Sequence, residues 1–226
     1  MACERSTAAR RAAETSSRLP LGGVRYPLRV PTIERIRSRF GQYTPRILSA
    51  GQSQKAAVAV VLRERKDRGP EVLFIERARH PGDPWSGQMA FPGGRVALAD
   101  ATIQSAAERE TLEEVGLSLE EAEKLGRLDD LEGLHGGGRP AGIVISAFVY
   151  HHRSPGPLRV SDEVEEALWV SLSALCDPAR RVEYTHPLTG AEIYPGILVG
   201  DPERHVVWGL TYRFVETFLA VAGLGA

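Results

Sequence analysis

The sequence predicts an α+β fold: strand-like segments run in succession, with helices inserted between them rather than alternating one for one. Two observations carry this. The continuous apolar run Ala57–Leu62 has the length of a strand buried on both faces. Two segments with helical apolar spacing, Asp100–Val115 and Trp208–Val221, lie far apart, with strand-like and turn-rich sequence between them.

The elements follow in order. Residues 1–30 lack periodicity and read as a disordered leader. Arg5, Arg10, Arg11 and Arg18 give the leader a faint transit-peptide character that Glu4 and Glu14 oppose. Residues 31–54 read as a short helix and a linker. Thr32 is placed to cap that helix, and Ile33, Ile36 and Phe40 form its apolar stripe. From residue 55 the main domain begins and runs to 226. Ala57–Leu62 and Val72–Ile75 flank a charged turn and form a hairpin. Pro81, Gly82 and Pro84 enforce a loop, and Gln88–Phe91 is a short strand leading to the turn at Gly93 and Gly94.

Asp100 is read as the cap of the next helix, with Gly116 as its left-handed terminator. Strands follow near Lys124–Glu132, Ile143–His152 and Ala167–Val170, with His135–Gly138 as a mobile loop. Arg181–Tyr184 and Ile193–Leu198 pair as a further hairpin. The last helix offers Leu210, Phe214, Val215, Phe218 and Leu219 to the core.

Composition excludes several functions. The net charge of −1 gives no electrostatic reason for a nucleic-acid partner. No apolar run approaches the ~20 residues needed to cross a bilayer, so no membrane partner is expected. Of the two cysteines, Cys3 falls in the leader, so a structural disulfide is not expected and a reducing, cytoplasmic setting fits. His135, His151, His152 and His186 have no metal-ligand spacing. Oligomeric state is open, a homodimer included.

The helix over Asp100–Val115 carries the chemistry. Glu110, Glu113 and Glu114 fall at i, i+3 and i+4, where like charges repel by roughly 0.2–0.5 kcal/mol per pair. A cation relieves that repulsion, and carboxylate oxygens are the ligands that Mg²⁺ and Mn²⁺ prefer. Ile103, Ala106 and Ala107 form a small apolar stripe, and Glu110 and Glu114 continue it. The acids therefore point toward a cleft at the sheet edge, whereas a solvated acidic face would lie opposite the stripe. Arg109 is placed to hold one of these carboxylates in its ligating rotamer, while Glu108 points away as plain surface. Gly93 and Gly94 permit close backbone approach, which suits an incoming phosphate. Trp85, in the preceding loop, could stack on an adenine.

Together these residues resemble the Nudix box, G-x5-E-x7-R-E-U-x-E-E-x-G-U, where U is a bulky aliphatic. Its second half is Arg109-Glu110-Thr111-Leu112-Glu113-Glu114-Val115-Gly116-Leu117, with Thr111 at the first U. Counting back to Gly94 leaves one residue more than the pattern, and Asp100 stands nearest the expected first Glu. The resemblance implies an α/β/α sandwich with a mixed central sheet. It further implies Mg²⁺- or Mn²⁺-dependent hydrolysis of the diphosphate in a nucleoside diphosphate derivative, with Glu110, Glu113 and Glu114 as metal ligands. The general base would come from the box or from a later loop, where Glu163 and Glu166 are the candidates.

Ser86–Gly94 and Val207–Thr211 also resemble segments of the coenzyme A pyrophosphatases. The resemblance implies coenzyme A or an acyl-coenzyme A as the small-molecule partner. ADP-ribose, other nucleotide sugars and dinucleoside polyphosphates are the alternatives, and a non-catalytic nucleotide sensor is a third reading. That group's pattern has an arginine where this sequence has Asp83, so Arg77 or Arg79 would have to supply the charge.

Overall fold

The computed structural model describes residues 31–225 except 50, 52, 82–84, 135–139 and 187–189. The leader, Asp83 and the His135–Gly138 loop therefore lie outside the described residues. Among the described residues, eleven strands and four α-helices follow one another in the order α1 (Ile33–Phe40), β1 (Gln54–Arg65), β2 (Gly69–Arg77), β3 (Met89–Ala90), β4 (Gly93–Arg95), α2 (Ile103–Val115), β5 (Glu123–Arg127), β6 (Leu131–Leu134), β7 (Pro140–His151), β8 (Val164–Ser171), α3 (Leu172–Leu175), β9 (Arg181–Thr185), β10 (Ile193–Leu198), β11 (Val206–Trp208) and α4 (Gly209–Ala222).

The first eight strands form a mixed sheet with the path β3-β2-β1-β7-β5, to which β4, β6 and β8 add at β1, β7 and β2. β1 runs parallel to β7 and antiparallel to β2 and β4. The run Ala57–Leu62 is buried on both faces because it lies at the centre of this sheet. Ala57, Ala59 and Val61 face Ala106 and Ala107 of α2. Val60 and Leu62 face the other layer, where α1 and α4 supply Ile36, Phe40, Phe214 and Phe218. The fold is thus an α+β sandwich with a helical layer on each face of a mixed sheet. The alanines set its geometry: small residues on both partners let α2 approach β1 closely, and its last turn then reaches the end of β4.

Several expectations are corrected in detail. Asp100 does not cap α2. Thr102 does, its hydroxyl accepting from the Ser105 N–H at 2.9 Å while Ser105 returns the bond. Gly116 ends the helix at φ +67°, as its position suggests. The single strand near Lys124–Glu132 is two, because Asp129 and Asp130 leave the ladder. Their carboxylates accept the backbone N–H groups of Arg46 and Leu48 and pin the preceding linker. α1 is no outlier either, since Phe40 stacks on Phe218 of α4 at 6.1 Å. Finally, β9, β10 and β11 form a separate three-stranded sheet, whose β11 packs beside β3.

Candidate active site

The acidic turn of α2 lies against the backbone of β4. Glu114, 3% exposed, accepts the Gly93 N–H at 2.8 Å. Gly94 has no room for a side chain, because a Cβ there would lie 2.4 Å from Glu110 Oε1. Gly93 is more constrained still: its φ is +151°, and a Cβ would lie 2.2 Å from the Ala57 carbonyl oxygen. The two glycines thus let a strand cross directly over two carboxylates.

The three acids are not equivalent. Glu114 is buried, Glu110 is largely covered and Glu113 is exposed. Burial raises Glu114 to about 7, with the Gly93 N–H opposing and the Glu110 charge adding to the rise. Burial also raises Glu110, against the pull of Arg109. A buried acid whose charge is disfavoured, beside a second acid that is largely covered, forms a donor set that a hard divalent cation satisfies.

Arg109 organises the cluster. Its Nη1 lies 2.9 Å from Glu110 Oε1 and 2.8 Å from Glu113 Oε2. Its Nε and Nη2 grip Asp100 at 2.9 and 3.0 Å. Asp100 also accepts the Ala97 N–H, and these bonds hold its carboxyl below the usual range. Asp100 therefore positions Arg109, a role that the cap reading missed and that its alignment with the first acid of the box could have signalled.

Glu108 is corrected as well. It accepts from the buried Tyr150 hydroxyl at 2.9 Å and from Gln104, tying α2 to β7.

The loop before β8 is fastened to the end of α2. Arg159 and Ser161 donate their N–H groups to the carbonyls of Val115 and Glu114, and the Glu163 backbone carbonyl accepts the Ala78 N–H. The Glu163 carboxylate is close enough to raise both Glu110 and Glu114.

Glu166 is elsewhere. It pairs in register with Glu76, on the face of β2 that carries Val72 and Phe74, opposite α2. Glu76, Glu166 and His205 converge there, which is a plausible ligand set by composition. The proton on His205 argues otherwise. The Asp201 N–H donates to Nδ1 at 2.9 Å, so Nε2 carries the hydrogen and donates toward Glu76 and Glu166 at 3.3 and 3.4 Å. A protonated nitrogen cannot bind a metal. With Arg204 also on Glu76, the group is a hydrogen-bonded lock between β2 and the β10–β11 turn.

Arg77 lies on the α2 side and its charge lowers Glu114. Opposite it the chain forms a glycine bulge: the Gly87 N–H donates to the Arg77 carbonyl and the Arg77 N–H to that of Gln88, with Gly87 at φ +70°. The Arg79 guanidinium lies 3.3 Å from where a Gly87 Cβ would stand. Trp85 is about half exposed on the same loop.

The sequence model of the NUDIX domain matches residues 53–189. The chain belongs to the Nudix family. An uncharacterized Nudix hydrolase, NudL, from Salmonella heidelberg is 33% identical over 199 residues, 85% of this chain and 96% of that protein. An uncharacterized protein of Schizosaccharomyces pombe is 34% identical over 157 residues, 62% of this chain, which spans about half (48%) of that relative's length. Among solved structures, a MutT/nudix family protein from Enterococcus faecalis superposes with a TM-score of 0.51 at 19% identity, covering 88% of this chain and 72% of the other. A NUDIX hydrolase from Alicyclobacillus acidocaldarius gives 0.51 at 18%, covering 74% and 91%. These likenesses show the Nudix fold. No described helix is long and apolar enough to cross a membrane.

Proposed function

We propose that this Nudix hydrolase cleaves the diphosphate linkage of a nucleoside diphosphate derivative, with Mg²⁺ or Mn²⁺ held by Glu110, Glu113 and Glu114. The observation that carries the reading is Glu114, buried beside Glu110 with its charge disfavoured, and fixed in place by the Gly93 N–H. A divalent cation there would neutralise the anhydride and lower the pKa of the attacking water.

The chain's own groups supply the rest. Asp100 and Arg109 set the rotamers of Glu110 and Glu113 before substrate arrives. The β4 backbone brings the diphosphate close, because no side chain intervenes at Gly93 or Gly94. Glu163, on the loop fastened to α2, accepts the proton of the attacking water. Arg77 and Arg79 provide positive charge toward the non-reacting phosphate oxygens.

Coenzyme A or an acyl-coenzyme A is the first substrate proposed. The Gly87 bulge supports it, since it seats Arg79 within the segment that resembles the coenzyme A pyrophosphatases. The test is a Mn²⁺-dependent screen with products identified by mass spectrometry. Release of 4′-phosphopantetheine and adenosine 3′,5′-bisphosphate is expected. Cleavage of ADP-ribose or a dinucleoside polyphosphate with coenzyme A left intact would overturn the substrate and keep the reaction.

A further inference from the structure

Four rings of the second sheet and the end of β9 gather at the edge of the main sheet. His186 stacks on Trp208 at 4.9 Å and 22°, while Tyr184 and Tyr194 lie 5.2 and 5.3 Å from the same indole. None of the four belongs to either apolar core. Trp208 is buried, but the other three are only half-buried, whereas all six phenylalanines are 6% exposed or less. Tyr, His and Trp rings combine a flat apolar face with a polar tip, so a partly open cluster of them suits a ligand that is itself flat and polar at its edge. Here the neighbours are polar: Gln88 Nε2 lies 3.4 Å from His186 Nε2, and the Arg79 charge acts on Tyr184.

The position relative to the carboxylates is also informative. Gln88 lies opposite Arg77 across the glycine bulge, and Arg77 is the cation that acts on Glu114. Glu114 on α2, Arg77 at the end of β2, Gln88 just before β3 and His186 just after β9 thus form a series of neighbours from the acids to the rings. Five Cα-to-Cα steps separate Gln88 from Gly93, a span of at most about 18 Å. The mount is stiff, because the Glu76–Arg204–His205 lock fastens the second sheet to β2.

We propose that the His186–Trp208 stack, flanked by Tyr184 and Tyr194, takes the nucleobase of the substrate, with Gln88 addressing the edge of the base and Arg79 the adjoining phosphate. The proposal rests on the diphosphate-hydrolase reading and adds the residues that hold the nucleoside end. Stacking suits this role because every base has a π-face, and the partly open His186 ring is backed by an indole that keeps it flat.

The test is equilibrium binding to the full chain of the four nucleoside 5′-monophosphates and of ribose 5-phosphate, which lacks a base. The wild type is expected to bind at least one nucleotide about tenfold more tightly than ribose 5-phosphate. His186→Ala should erase that tenfold preference and leave ribose 5-phosphate unchanged, and His186→Phe, which keeps a flat ring, should retain it. The proposal is overturned if no nucleotide is preferred, if His186→Ala keeps the preference, or if His186→Phe loses it. The comparison needs no turnover, so a wild type that shows the preference but hydrolyses no diphosphate would overturn the proposed reaction and leave the base site standing.

Discussion

Asp100 and Arg109, nine residues apart, meet in a two-pronged ion pair, Nε to Oδ1 at 2.9 Å and Nη2 to Oδ2 at 3.0 Å. The third guanidinium nitrogen is thereby turned toward Glu110 and Glu113. A planar guanidinium held this way transmits its orientation to both acids, as a lysine could not. Asp100→Asn should weaken Mn²⁺ binding about tenfold, in the range typical of groups that orient metal ligands. Calorimetric titration of metal, with thermal unfolding as a control for the fold, checks this.

The paired glycines separate folding from function. A methyl at Gly94 meets the Glu110 carboxylate, which can turn aside; one at Gly93 meets the backbone of β1, which cannot. Gly94→Ala should fold with a small loss of stability and lose most activity. Gly93→Ala should lose on the order of 3 kcal/mol or more, because strain at positive φ and a backbone clash act together. Urea denaturation of both variants measures the difference.

Glu114 predicts a pH dependence of stability in metal-free protein. Its carboxyl is raised from 4.5 to about 7 in the fold. Between those values the folded state binds a proton that the unfolded chain has released, so this contribution is fully present below about pH 4.5 and lost as pH rises through about 7. The loss should be on the order of 2 kcal/mol between pH 5 and 8. Glu114→Gln should remove it, as seen by comparing both proteins' unfolding midpoints in EDTA across that range.

Much of this was legible in the sequence because it depends on local periodicity. Ile103, Ala106 and Ala107 in line with Glu110 and Glu114 define the helix face and its direction, and Ala57–Leu62 reads as a central strand. What depends on tertiary partners was not legible. Asp100 carries the marks of a cap, and only the fold shows its carboxylate turned to Arg109. Gly93 and Gly94 read as a turn, although pairing with β1 makes them a strand. Glu163 and Glu166 are three residues apart in one acidic run, but the strand between them sends them to opposite sides of the sheet. Tyr184, His186, Tyr194 and Trp208 are scattered over 25 positions and meet only through the second sheet.

The two acids of that run should behave differently. Glu163→Gln should lower kcat by a factor of about 10² or more, the usual contribution of a positioned base. Glu166→Gln should leave kcat within a few-fold, because its partners are Arg204 and His205 on the far face. Equal losses in both variants would show that Glu163 has no special part in the reaction.

The metal is proposed to bind at the acidic turn of α2. Electron paramagnetic resonance of Mn²⁺ added to wild type, Glu114→Gln and Glu166→Gln tests it most directly. The bound-ion signal is expected in wild type and Glu166→Gln, and should be lost in Glu114→Gln while that variant remains folded. Retention of the signal in Glu114→Gln together with its loss in Glu166→Gln would instead place the ion in the Glu76–Glu166–His205 cluster.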